Sequence, residues 1–169
     1  SVRFLENLNK TAAYIQSFYE DIGIAVQRDP YNYADFTVDN VVAEVSTGLQ
    51  PSRRYLLGAH YDSVSGTVGA DDNASGVAVL LKLAKMLQER PEARDNYLIL
   101  LFSGEEMGLL GSNFFAKNPT LDLEQVAYMI NLDMVGRLRE DKTLSISGTG
   151  TTPVWPQVLN SLNPGFNLV

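Results

Sequence analysis

The sequence predicts an α/β fold: three layers, α/β/α, around a mixed sheet that is parallel at its centre. Three observations carry this. "YLILLF" (97–102) and "VAYMINL" (126–132) are continuous apolar runs of strand length, the pattern of strands covered on both faces. "YLLGA" (55–59) is a shorter run of the same kind. Segments with helical spacing stand between these runs, and alternation of strand and helix implies a parallel sheet with helices on both faces.

The elements follow in order. Phe4, Leu5, Leu8, Ala12, Ile15, Phe18, Tyr19 and Ile22 recur at three- and four-residue steps, an amphipathic helix that Gly23 closes. Residues 24–45 hold two short strand-like pieces, "IAVQ" and "NVVAEV", separated by a polar, Tyr-rich turn region. "STGLQPSRR" reads as a connection to "YLLGA". A Gly/Ser/Asp-rich loop, "YDSVSGTVGADDN", then leads into a helix over 74–89 with Val77, Leu80, Leu81, Ala84 and Leu87 on one face. "RPEARDN" ends it. "SGEEMG" follows the second buried run, and a short helix is expected over 108–117. After 126–132 the sequence predicts a fourth strand, "TLSISGTG", and a helix in "PVWPQVLNSLNPG". With no linker, repeat or low-complexity tract, residues 1–169 are expected to form a single domain.

Composition narrows the chemistry. An apolar fraction of 45% and a charged fraction of 20% are ordinary for a globular protein. Net charge is -7 and no Lys/Arg cluster stands out, which argues against a nucleic-acid partner. No apolar run reaches membrane length, so no membrane partner is expected. The absence of cysteine excludes disulfides, Cys-based zinc fingers and thiol nucleophiles. His60 is the single histidine, which excludes HExxH sites and His-rich metal sites. Any metal site must be mostly carboxylate. Neither a G-x-S-x-G elbow nor a dinucleotide or P-loop fingerprint is present. The tyrosines of "DPYNYADF" are read as packing residues, with a pocket-lining role as the alternative. "NKT" (9–11) and "NAS" (73–75) match the glycosylation triplet, the second inside the candidate site.

Each buried-strand candidate leads to a residue that can bind a metal or move a proton. "YLLGA" ends at His60, "YLILLF" leads through Ser103 and Gly104 to Glu105 and Glu106, and "VAYMINL" is followed by Asp133. In open α/β sheets, ligands bind outside the carboxyl ends of the strands. The loop carrying Asp71 and Asp72 reaches the same edge. Taken singly, each residue has an ordinary structural use: a hydrogen-bonded His, a helix cap, a solvated Glu pair, a turn Asp. Four at corresponding positions point to one site. Gathered carboxylates raise one another's pKa or require a cation, and one imidazole among them suits zinc or a related divalent ion. Such ions polarise carbonyls and activate water, and a carboxylate outside their shell can take the proton.

"GAHYDS", "GADDNASG", "FSGEEMGLLGS" and "INLDMVG" occur in this order. Together they resemble the two-zinc aminopeptidases of the bacterial leucyl aminopeptidase type, whose fold family includes glutaminyl cyclases and the glutamate carboxypeptidase group. The resemblance spans residues 36–147, and the N-terminal helix also fits. It implies that His60 and Asp133 bind the first zinc, that Asp71 bridges both, and that Glu106 binds the second. It further implies that Glu105 is the general base and acid, and that Asp62 orients the histidine. Asp72 is left to the turn or the helix start, and a cis peptide is implied between Asp71 and Asp72.

The chain departs from the family in one respect. The second zinc of the family needs another histidine from a later segment, and this chain has none. The chain thus reads as the N-terminal portion of a longer catalytic domain, with one zinc or fewer bound tightly and activity impaired. The function implied is zinc-dependent removal of N-terminal residues from peptide substrates. A glutaminyl-cyclase-like acyltransferase and a non-catalytic binding domain are the alternatives. The resemblance also implies a secreted or periplasmic location.

Overall fold

The computed structural model of the chain describes residues 2–46, 53–90 and 95–166. Most of the expected connection "STGLQPSRR" and the "PEAR" of the expected helix stop lie outside the described residues. The elements are α1 (Val2–Asp21), β1 (Ala25–Tyr33), β2 (Phe36–Val45), β3 (Arg54–His60), α2 (Ala74–Gln88), β4 (Asn96–Phe102), α3 (Leu110–Lys117), β5 (Val126–Asn131) and α4 (Val154–Leu162).

The five strands form one sheet in the order β1-β2-β4-β3-β5. β3 runs parallel to both β4 and β5, while β1 and β2 join the sheet antiparallel. The sheet is therefore mixed and parallel at its centre, as the buried runs predict. Side chains alternate across it with the period of two that strands impose. Val41, Ala43, Leu57, Ala59, Ile99 and Leu101 belong to the larger core, which also takes in apolar residues of α1 and α2. Val42, Leu56, Leu98, Leu100 and Phe102 face the other way and pack with Phe115 of α3. Each large apolar side chain buried this way contributes roughly 1.5–3 kcal/mol. The parallel strands β3 and β4, which lead to His60 and to the Glu pair, are thus firmly anchored in the core.

Three expectations change. "DPYNYADF" is not a turn region: β1 and β2 form one long hairpin, with Tyr33 opposite Phe36 and Ala34 at a φ of 49° in the tight turn. Aromatic and aliphatic residues at alternate positions (Tyr31, Tyr33; Phe36, Val38) keep the ribbon extended. β1 is an edge strand, so Pro30 costs no ladder bond inside the sheet. "TLSISGTG" is not a strand; residues 143–148 are irregular and a short 3-10 turn covers Thr149–Thr151. Apolar alternation alone does not make a strand without a neighbour to hydrogen-bond, and none pairs with it among the described residues. Finally, "VAYMINL" forms β5 but is not covered on both faces: Tyr128, Met129 and Ile130 are 39%, 41% and 38% exposed, and β5 is the last strand on its side of the sheet among the described residues. The chain is described in two compact units, Ser1–Val135 and Gly136–Val169. The second carries α4 between two short 3-10 turns. Every candidate site residue lies in the first unit. No helix among the described residues is long and apolar enough to cross a membrane.

Candidate metal centre

Parallel strands bring their carboxyl ends to one edge, and there the sequence candidates meet. His60 is the last residue of β3, Glu105 and Glu106 follow β4, and Asp133 follows β5. The His60 ring is 2% exposed, and its Nε2 lies 3.0 Å from Asp72 Oδ1, 3.5 Å from Asp133 Oδ1 and 3.9 Å from Glu105 Oε2. Donor atoms of His60, Asp72 and Glu106 all lie within 4.8 Å of one another. On its other side, the ring's Nδ1 donates to the Asp62 carbonyl at 3.1 Å, with the Asp62 carboxylate 3.6 Å away. A carbonyl can only accept, so Nδ1 carries a proton and Nε2 is aimed at the carboxylates.

The paired aspartates exchange the roles expected from the sequence. Asp72, not Asp71, stands against His60. Asp71 meets the helix start through its main-chain carbonyl, which accepts from Ser75 Oγ at 2.6 Å. The cis peptide lies between Asp72 and Asn73, one residue later than expected. Nor does Asp72 cap α2: Asn73 does, its side chain accepting from Gly76 N at 3.0 Å. With Asn73 fixed in the cap, the residue immediately before it is the one presented to the strand edge. Asn73 is 1% exposed and its amide is committed to hydrogen bonds, so "NAS" offers no free glycan acceptor in the folded chain.

Asp62 does more than the sequence suggests. Its side chain is fully buried, and Oδ1 and Oδ2 accept from the backbone N–H groups of Glu105 (3.1 Å) and Glu106 (3.3 Å). One carboxylate therefore sits beside the histidine and also holds the Glu pair. Gly104, at a φ of 66°, supplies the left-handed turn that swings the chain from β4 to that pair.

Two positioning residues are missing from the sequence candidates. Asn40 of β2 is fully buried; its Oδ1 accepts from Ser103 N (3.2 Å) and its Nδ2 donates to Gly111 O (3.1 Å), fastening both ends of the loop that carries Glu105 and Glu106. Tyr31 donates to Ser103 O at 2.9 Å and stacks on Phe114. It also lines a small apolar cavity of about 120 Å³ with Phe4, Tyr33, Phe36 and Met107, so both the packing and the pocket reading of these tyrosines apply. The signal for Asn40 was a lone amide in the apolar run "NVVAEV". Asn40→Ala strands the buried Ser103 N–H, at about 1–3 kcal/mol, and removes the bond to Gly111 O. Urea unfolding is expected to show a loss of that order, and unchanged stability would remove Asn40 from this role.

Charge is concentrated here. Burial of the His60 ring opposes its charged form, but Asp62 beside it and the charges of Asp133 and Glu105 outweigh burial and push its pKa up to about 9. Burial, then the charges of Asp72 and Glu105, raise the pKa of Glu106. Two buried atoms at this centre, His60 Nε2 and Glu106 Oε1, have no hydrogen-bond partner among the described residues. Buried polar atoms are rarely left so. An imidazole nitrogen and a carboxylate oxygen buried without hydrogen bonds, amid further carboxylates, fit a divalent cation of the zinc type.

A mixed α/β sheet whose parallel strands deliver one imidazole and several carboxylates to a common edge is the frame of a metal-dependent hydrolase. The model of peptidase family M28 matches residues 40–164. The chain belongs to that family. A probable zinc metalloprotease from Pyrenophora teres f. teres is 42% identical over 119 residues, which is 63% of this chain and 24% of the relative. The zinc aminopeptidase of Bacillus subtilis superposes with a TM-score of 0.67 at 26% identity, over 81% of this chain and 34% of that one. Glutaminyl cyclase of Porphyromonas gingivalis superposes with a TM-score of 0.76 at 24% identity, over 92% of this chain and 60% of that one, a likeness of fold. The chain spans about a quarter of the length of the fungal relatives it matches.

Proposed function

We propose that this chain carries the metal-binding and proton-transfer core of a zinc-dependent aminopeptidase. The observation that carries the reading is the ring of carboxylates around His60 Nε2, with neither that nitrogen nor Glu106 Oε1 in a hydrogen bond among the described residues. His60, Asp72 and Asp133 would hold one zinc, and Asp72 and Glu106 would offer two carboxylates to a second. With one histidine in the chain, the second ion would be the weaker. Zinc, when bound, supplies Lewis acidity toward the scissile carbonyl and lowers the pKa of water.

The remaining work falls to the chain. Glu105, one-third exposed and anchored through its backbone by Asp62, takes the proton from the attacking water and returns it to the leaving amine. Asp62 fixes both the imidazole and the Glu pair, and so keeps base and ligands in register. The substrates are peptides with a free amino terminus, and the location is secreted or periplasmic.

The test is mass spectrometry of short peptides incubated with the zinc-loaded chain and with any longer polypeptide that contains it. Loss of the N-terminal residue supports the reading. Cyclisation of an N-terminal glutamine without hydrolysis replaces it with the acyltransferase, and zinc uptake with neither reaction replaces it with a binding domain.

Proton linkage gives a second check. Zinc must displace the proton that His60 holds up to about pH 9. Apparent zinc affinity is therefore expected to climb about tenfold per pH unit from neutral pH toward 9 and then level off, in competition with a chromophoric chelator. Without metal, the stability of the chain is expected to follow the opposite trend. His60 stabilises the fold fully below its ordinary 6.5, and that contribution is lost as pH rises through about 9. A zinc affinity flat over this range would remove His60 as a ligand.

A further inference from the structure

Asn73 makes more bonds than a helix cap needs. Its Oδ1 accepts from Gly76 N at 3.0 Å, which is the cap, and also from Met134 N at 3.3 Å. Its Nδ2 donates to Leu132 O at 2.9 Å. Leu132 and Met134 are the two neighbours of Asp133, so one side chain grips the backbone on both sides of that carboxylate. Met134 sits at a φ of 51°, so the chain turns there and cannot continue the β5 ladder. Without Asn73, its N–H loses this acceptor. Ser75, two residues on, adds a further tie: its Oγ accepts from Val135 N at 3.0 Å and donates to Asp71 O at 2.6 Å.

The approach is close enough to dictate a glycine. A Cβ on Gly76 would stand 2.5 Å from Asn73 Oδ1 and 2.6 Å from Leu132 O. Capping alone is served equally by Asn, Asp or Ser. An amide carries a separate acceptor for Met134 N and donor for Leu132 O; a carboxylate has no donor, and a serine hydroxyl is one short atom that cannot reach both.

We infer that Asn73 is a positioning residue: beyond capping α2, its amide locks the chain at Asp133 to the turn that carries Asp72, and so sets the spacing of those two carboxylates about His60. This rests on the zinc reading above for its consequence, though not for its geometry. The cap and the clamp are separable. Asn73→Ser keeps a good cap, but its single, shorter hydroxyl lacks the reach to bond both neighbours of Asp133. Gly76→Ala leaves Asn73 in place and favours the helix, yet drives a methyl into the clamp.

The experiment compares both variants with the parent chain by zinc competition and, without metal, by amide hydrogen exchange. In each variant zinc is expected to bind about 10–100-fold more weakly, the usual effect of losing a partner that orients ligands. Met134 N–H is expected to exchange at least about tenfold faster, while the amides of Leu80 and Leu81 in α2 keep their parental protection. Should Asn73→Ser fail to fold, Gly76→Ala decides. Zinc affinity within about twofold of the parent, or an unchanged Met134 rate, overturns the inference; a twofold margin is the scale of an ordinary surface substitution. Failure of the zinc reading shows separately, as a parent chain that takes up no zinc. The clamp then stands or falls on the Met134 rate.

Discussion

Glu105→Gln is expected to lower peptide hydrolysis by about 10²–10⁴-fold, the usual share of a general base, and to leave zinc uptake intact. The two halves of this result come from different geometry. Glu105 Oε2 lies 3.9 Å from His60 Nε2, while the donor atoms that crowd together belong to His60, Asp72 and Glu106. Glu105 thus stands beside the centre and faces partly to solvent, where an attacking water can reach it. Glutamine has the same shape, and the backbone N–H that Asp62 holds at 3.1 Å is unchanged, so the loop does not move. Glutamine loses the charge and with it the ability to take a proton. The measurement is kcat beside zinc content, on this chain and on any longer polypeptide containing it. A rate equal to the parent's would remove Glu105 from the proton path, and loss of zinc with the rate would make it a ligand.

How much of this was legible in the sequence depends on what fixes each position. β3 and β4 are continuous apolar runs, and a strand buried on both faces has little other way to appear; β5 has the same kind of run but is largely exposed, so there the run told of a strand and not of its burial. Because those strands are parallel, His60, the Glu pair and Asp133 follow at one edge from their order alone. Positions set by side-chain bonds across the sheet were not legible. Asn40 reads as an ordinary residue of a β-like run, yet it reaches from β2 to Ser103 and Gly111. Asn73 reads as a cap, and its second and third bonds run to residues some sixty positions away. The choice between Asp71 and Asp72 was hidden for the same reason. Two aspartates in one turn look alike until the residue that closes the helix is known. The β1–β2 hairpin was legible but misread, because the polar residues of "DPYNYADF" drew attention from the apolar residues at alternate positions.

The paired aspartates give the other large expected effect. Asp72→Asn is expected to weaken zinc binding by about 100-fold or more, since losing even a partner of a ligand costs about 10–100-fold. Asp71→Asn is expected to stay within about twofold, the scale of a substitution away from the site. The contrast rests on one carboxylate distance, 3.0 Å from Asp72 Oδ1 to His60 Nε2, and on Asp71 serving the helix start through its main-chain carbonyl, which the substitution keeps. Charge supplies an independent readout. The Asp72 charge helps raise the Glu106 pKa, second only to burial. Removing it should let Glu106 ionise at lower pH in the metal-free chain, whereas Asp71→Asn should leave that titration in place. Both are read by chelator competition and by NMR titration of the Glu106 carboxyl. If Asp71→Asn loses zinc and Asp72→Asn keeps it, the bridge belongs to the first aspartate and the arrangement around His60 is wrong. If both lose it equally, the turn acts through its summed charge, and no single carboxylate in it is a ligand.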